Sequence, residues 1–201
     1  MENFGFYLVM TNPVVGYEEC ARAAVKAGVK IIQLRMKHTA REEILAEACK
    51  VRSVTKGTGT LFIVNDDPSI AAEAGADGVH VGQSDMAVGE VRRLYPSLRI
   101  VGLSTHSMAQ AEASLKAKPD YIGVGQVYAT PTKDIPDPTL GVETAIAMAN
   151  AVPYPAVCIG GLDYARAKAL VSAGAKNFSV VRAVCQSPDP YAEMVRLKAL
   201  C

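Results

Sequence analysis

Residues 74–85 read Ala-Gly-Ala-Asp-Gly-Val-His-Val-Gly-Gln-Ser-Asp: a small-residue turn, an apolar run of strand length, then an abrupt polar end. The turn recurs, because Ala27-Gly28-Val29-Lys30 and Ala173-Gly174-Ala175-Lys176 also stand just before apolar runs. A glycine after the last turn of a helix takes the left-handed conformation cheaply and directs the chain into the next strand. Lys118-Pro119-Asp120 does the same work before a further run. Working outward, runs of strand length occur near residues 6–10, 30–35, 60–65, 78–82, 99–104, 121–127, 156–161 and 177–181. Segments with helical spacing lie between them, at 17–27, 40–56, 107–116, 142–151 and 164–173, with shorter ones at 68–74 and 86–94.

Strands that are apolar on both faces and separated by helices imply a parallel sheet with crossover connections. Eight such units in 201 residues predict an α/β fold, a compact (β/α)8 barrel, as one domain spanning residues 1–201. An open doubly wound sheet shares the alternation. Its dinucleotide-binding form loses its main support, since Met10-Thr11-Asn12-Pro13 follows the first run in place of Gly-x-Gly-x-x-Gly. The stretch from Ala129 to Leu140, rich in Thr, Pro and Asp, reads as a loop over the barrel mouth.

Composition narrows the function. Lys plus Arg number 21 against 20 Asp plus Glu, so a net charge of +1 gives no general field for nucleic acid or membrane. The five cysteines are scattered, with no C-x-x-C pair, and read as thiols of a reducing, cytoplasmic setting. Met1-Glu2-Asn3 opens no basic leader, and no run approaches the roughly 20 apolar residues of a membrane span.

In a parallel barrel the site gathers at the C-terminal ends of the strands. There the second run ends with Gln33, Arg35 and Lys37, whose odd spacing places all three on one face if the extended chain persists. Two cations and an amide suit a polyphosphate. The third and fourth runs end in Asn65-Asp66-Asp67 and Gln83-Ser84-Asp85. Asp66 with Asp85 suits Mg²⁺, which takes one or two carboxylates and fills its other positions with water and phosphate. Capping explains Asp67, which precedes Pro68; Asp85 serves as either cap or ligand. Ser104 and His106 close the fifth run, and without a Gly-x-Ser-x-Gly elbow Ser104 reads as a hydrogen-bonding group. His80, inside the fourth run, reads as a core residue or one that supports the site. Thr130, Thr132 and Lys133 lie on the Pro-stiffened loop after the sixth run, and Gly160-Gly161 and Val181-Arg182 end the seventh and eighth. Loops at those last two positions commonly bind phosphate through backbone N–H groups.

The ordered series Gln33-Leu34-Arg35-Met36-Lys37, Asn65-Asp66, residues 76–85, Gly102-Leu103-Ser104, Thr130-Pro131-Thr132-Lys133 and Ile159-Gly160-Gly161 resembles the thiamine-phosphate synthase family, over nearly the whole chain. The resemblance implies that Gln33, Arg35, Lys37, Asn65, Ser104 and Lys133 bind a hydroxymethylpyrimidine diphosphate, with Lys133, Arg35 and Ser104 its catalytic members. Asp66 and Asp85 would hold Mg²⁺ on the pyrophosphate. Thr130 and Thr132, with Gly161 and the backbone at Val181-Arg182, would bind a thiazole phosphate. The implied reaction is dissociative: pyrophosphate departs, and the thiazole nitrogen attacks the pyrimidine methylene. Arg182 stands where the family usually has Ser, Gln126 where Pro is common, and Asn12 where Asp is commoner. Arg182 either strengthens the phosphate site or crowds the thiazole. The competing readings are a thiazole tautomerase on the same barrel, which would use His106, and a non-catalytic binder of phosphate ligands. Small-molecule substrates are the expected partners, with no nucleic acid or membrane, and a homo-oligomer is compatible with the sequence.

Overall fold

The structure, a computed structural model, describes residues 2–130 and 138–201. It begins with β1 (Gly5–Met10), α1 (Tyr17–Lys26), β2 (Ile31–Leu34), α2 (Arg41–Thr55), β3 (Leu61–Asn65) and α3 (Pro68–Glu73). Next come β4 (Gly78–Val81), α4 (Val88–Leu94), β5 (Ile100–Thr105), α5 (Met108–Ala117), β6 (Tyr121–Gly125) and α6 (Gly141–Asn150). The chain finishes with β7 (Ala156–Ile159), α7 (Tyr164–Ser172), β8 (Asn177–Val180), α8 (Arg182–Cys185) and α9 (Pro190–Lys198). All eight strands are parallel and close as β1 through β8 in chain order, as the alternation predicts. Helices α8 and α9 are additions that the alternation does not show.

The turn glycines behave as their sequence context requires: Gly28 and Gly75 both have φ of +67°, and Gly174 has +108°. Lys118 takes the same role at the end of α5 with φ of +52°. Asp77 and Asp120, which follow such turns, have a second use. Asp77 accepts from Phe62 N at 2.9 Å and Asp120 from Val101 N at 2.7 Å, so each carboxylate satisfies the first open donor of the neighbouring strand. Arg52 and Arg99 then pair with Asp77 at 3.0 and 3.2 Å. At the seam between β1 and β8, Asn177 accepts from Phe4 N and Gly5 N and donates to Asn3 Oδ1. These polar clamps lie at the N-terminal end of the barrel, where such residues serve stability.

The core has two layers. Between barrel and helices, side chains such as Leu8, Ile32, Phe62, Val79, Ile122 and Phe178 are almost completely excluded from solvent. Inside the barrel a smaller set packs, including Tyr7, Val9, Ile31, Ile63, Tyr121 and Val157. Alternation along the strands separates the layers. The same alternation sends Gln33, Asn65, His80, Ser104 and Ser179 inward, through the register Gln33↔Ile63, Asn65↔His80, Ser104↔Gly123 and Ile159↔Ser179.

Candidate active site

A cavity of about 460 Å³ opens at the C-terminal end of the barrel. Tyr7, Gln33, His80 and Tyr121 lie deep in it. Gln33 Nε2 donates to Tyr7 Oη at 2.8 Å, the two phenol oxygens are 2.9 Å apart, and Tyr121 Oη is 3.0 Å from His80 Nδ1. His80 Nε2 lies 2.9 Å from Ser104 Oγ, which connects this chain to the rim. Burial raises the pKa of both phenols well above the usual tyrosine value, so they remain protonated hydrogen-bonding groups.

Arg35, Asn65 and Ser104 line the β2–β5 side of the cavity. Strand β2 stops at Leu34, but Arg35 N still donates to Met10 O at 2.9 Å, so the guanidinium keeps its inward direction. Lys37 lies further out, exposed, where its Nζ donates to Asp66 Oδ2. Asp66 has φ of +66° and donates its N–H to His80 O at 2.7 Å, which turns the chain away from the end of β3. Asp85 accepts from Gly82 N at 2.7 Å and lies against the Asp66 carboxylate. Burial raises the Asp85 carboxyl above its ordinary pKa; the Gly82 N–H opposes that, and the charge of Asp66 adds to it. Helix α4 begins after Ala87 with no side-chain cap, so Asp85 is not its cap. Asp67 does cap α3, accepting from Ser69 N at 2.8 Å and Ile70 N at 3.0 Å. Burial acts to raise the Asp67 pKa, but those donors hold it below the ordinary value.

The β6–β8 side is built differently. Its inner strand positions are Gly123, Gly125, Val157, Ile159 and Ser179, of which Ser179 carries the one polar side chain. Gly160 and Gly161 follow with φ of +109° and +63°, and a Cβ on Gly161 would lie 2.5 Å from Ala129 O. Arg166 Nη1 donates to Gly161 O at 2.7 Å, and its guanidinium lies 4.9 Å from the centre of the Tyr128 ring. Thr130, Val181 and Arg182 also line the cavity. Thr132 and Lys133 lie outside the described residues. His106 lines the cavity too, with Nδ1 at 2.6 Å from Gly125 O; a carbonyl only accepts, so Nδ1 carries the hydrogen in that bond.

Most of the described residues singled out in the sequence therefore converge on one opening. Lys37, Asp66 and Asp85 form a cluster beside the cavity lining. Among the described residues no group of three or more His, Cys, Asp or Glu side chains is placed to hold a metal ion. Tyr7, Tyr121 and Arg166 were not legible as site residues. Reading past Gly161 to the next cation identifies Arg166, whereas a tyrosine in an apolar run gives no signal beyond core packing.

Comparison with known proteins agrees with this geometry. The family model described as thiamine monophosphate synthase matches residues 6–184. A thiamine-phosphate synthase of Gloeobacter violaceus is 39% identical over 184 residues, 92% of this chain but 53% of the relative, so the chain spans about half of that protein. One from Caldicellulosiruptor saccharolyticus is 39% identical over 171 residues, 85% of this chain and 77% of the relative. Among solved structures, thiamine phosphate pyrophosphorylase from Pyrococcus furiosus superposes with a TM-score of 0.89 at 27% identity, covering 98% of this chain and 95% of that one. With its closed barrel and a cavity fringed by cations and carboxylates on one side and glycine backbone on the other, the chain belongs to the thiamine monophosphate synthase family of transferases.

Proposed function

We propose that the chain condenses 4-amino-2-methyl-5-(diphosphooxymethyl)pyrimidine with 4-methyl-5-(2-phosphooxyethyl)thiazole, giving thiamine phosphate and pyrophosphate. The observation that carries this reading is a single cavity with two unlike ends, one lined by charged and amide side chains and the other by glycine-rich backbone. Arg35, Asn65 and Ser104, with Lys37 close by, suit the diphosphate; Gly161 and the backbone at Val181-Arg182, with Thr130, suit the phosphate of the second substrate. Lys133 and Thr132, which lie outside the described residues, are assigned to the diphosphate and the phosphate respectively by the resemblance alone.

The condensation breaks the bond between the pyrimidine methylene carbon and the diphosphate oxygen, and the electron pair leaves with pyrophosphate. The thiazole nitrogen then donates its lone pair to the methylene carbon, and the positive charge passes to the thiazolium ring. No general base is needed. The barrel contributes position and charge: in this reading Arg35 stabilises the oxygens on which negative charge grows, a role the resemblance also gives to Lys133, while Ser104 and Gln33 orient the ring. Arg35 is suited to this work because its fork makes two parallel bonds to phosphate oxygens.

Asp66 and Asp85 fit a Mg²⁺ ion. The charge of Asp66 acts to raise the Asp85 carboxyl, a repulsion that a dication relieves, and Mg²⁺ asks for only one or two carboxylates. Held there, the ion would neutralise charge on the diphosphate oxygens. The Lys37 contact keeps the Asp66 side chain placed at the mouth; as an exposed pair it adds little stability. A cytoplasmic location fits the five free cysteines. Among the described residues no helix is long and apolar enough to cross a membrane.

The test mixes both substrates and Mg²⁺ with the protein and measures pyrophosphate. Release that requires both substrates is expected. Bound ligands without release would leave a phosphate-binding barrel in place of an enzyme, and proton exchange on the thiazole without condensation would favour the tautomerase reading, through His106.

A further inference from the structure

The buried chain Gln33–Tyr7–Tyr121–His80–Ser104 has only one hydrogen available for each link. Gln33 Nε2 donates to Tyr7 Oη; the order that leaves no hydrogen without an acceptor then sends the Tyr7 hydrogen to Tyr121 Oη, 2.9 Å away, and the Tyr121 hydrogen to His80 Nδ1, 3.0 Å away. His80 then carries its hydrogen on Nε2 and gives it to Ser104 Oγ. A break in this order puts two hydrogens, or none, between a pair of buried atoms about 3 Å apart, which the low-dielectric interior penalises. Turning the Gln33 amide over reverses every link together. The two ends of the chain therefore cannot be set independently, and both ends line the cavity.

The barrel is shaped around this chain. A Cβ at Gly102 would lie 2.3 Å from Tyr121 Cζ and 2.5 Å from His80 Nδ1, and one at Gly123 would lie 3.3 Å from His80 Cε1. Glycine inside a strand weakens it, and here it leaves room for the two rings. Tyr7 and Tyr121 are at most 2% exposed and His80 is 9% exposed, so bulk water does not supply the alternative partners.

We propose that Tyr7, Tyr121 and His80 are positioning residues that fix the hydrogen-bonding sense of Gln33 and Ser104 as one unit, with the Gln33 amide oxygen and the Ser104 hydroxyl hydrogen directed into the cavity. An acceptor and a donor presented side by side select a ring with the opposite order, an amine beside an unprotonated ring nitrogen. They reject the oxo analogue, which presents a carbonyl beside a ring N–H. This assignment rests on the pyrimidine reading given above, but its first test does not.

That test is ¹⁵N NMR of histidine-labelled protein without substrates, with His80 distinguished from His38 and His106 by His80→Gln. A hydrogen on Nε2 and a bare Nδ1 are expected; a hydrogen on Nδ1 overturns the proposal whether or not the condensation is observed. The second test compares the amino- and oxo-pyrimidine diphosphates as competing ligands. The parent is expected to prefer the amino form by roughly 10²-fold or more. In Tyr121→Phe, and separately in Tyr7→Phe, that ratio is expected to fall about tenfold, with the fold checked by circular dichroism. Folded variants that lose affinity for both ligands equally, or keep the full ratio, would show that the phenols only fill space.

Discussion

On the β2–β5 wall of the cavity the polar groups are side chains, Arg35, Asn65 and Ser104, with Lys37, Asp66 and Asp85 beside them. On the β6–β8 wall the inner strand positions are glycines and aliphatics apart from Ser179, and the loops present backbone around Gly160 and Gly161. The difference follows from what each wall is proposed to do. A leaving pyrophosphate gains charge during the reaction, so fixed cations and carboxylates aimed at it lower the barrier. An acceptor phosphate keeps its charge throughout, so its wall needs only to hold the ring at the right distance. Substitutions should therefore separate the walls: side-chain changes on the first reduce kcat, and backbone changes on the second raise the acceptor KM.

The largest effect is expected from Asp66→Ala. It removes one of two carboxylates and leaves Lys37 without the partner seen here, so kcat for pyrophosphate release should fall roughly 10²-fold or more. Acceptor affinity, measured by calorimetry, should stay near that of the parent. A loss confined to KM would place Asp66 in simple substrate binding and break the contrast between the walls.

Gly161→Ala probes the other wall. The residue has φ of +63°, and the added Cβ would meet Ala129 O at 2.5 Å, so the loop must move. Left-handed backbone with a Cβ costs roughly 1–2 kcal/mol before the clash is counted. The acceptor KM should rise about tenfold or more, with the pyrimidine diphosphate KM little changed and the thermal midpoint lowered by roughly 2–8 °C. Equal losses for both substrates would mean that the walls are not independent.

The same contrast explains what could be read in the sequence. The barrel was legible because the Ala-Gly turns and the apolar runs are local signals that repeat. Boundaries were missed where tertiary bonding took over. The sixth run reads to Val127, but β6 ends at Gly125; Val127 N bonds Ile159 O, and Gln126 and Val127 accept from Leu140 and Gly141. The seventh reads to Gly161, but Gly160 and Gly161 leave the extended region at the end of β7. Helix α9 was missed although Asp189 before Pro190 is a readable cap; Asp189 does accept from Ala192 N at 3.0 Å. The side-chain wall was legible because charge at the end of an apolar run has few structural uses. The Tyr7–Tyr121 contact was not, since it joins residues 114 positions apart and only barrel closure brings the hydroxyls together. Arg166 was hidden for a related reason: its partner is a carbonyl oriented by the turn at Gly161, not a residue type.

Arg182→Ser is expected to have the smallest effect and decides what that departure from the family pattern does. Two arginines reach the backbone wall, and they are not equivalent. Arg166 is tied to Gly161 O and lies over the Tyr128 ring, so its charge has a fixed place beside the acceptor loop. Arg182 is exposed; its carbonyl accepts from Gln186 N at 3.0 Å, but its guanidinium makes no hydrogen bond or ion pair to the other described residues. A mobile, hydrated cation at a rim attracts an anion weakly and is screened by salt. Replacing it with serine should lower affinity for the thiazole phosphate less than about threefold, with the small loss disappearing at high ionic strength. A tenfold loss that persists in salt would make Arg182 a fixed phosphate ligand and the wall no longer one of backbone alone. A gain in affinity would show that its bulk crowds the ring, and that serine at this position is favoured for space rather than for its hydroxyl.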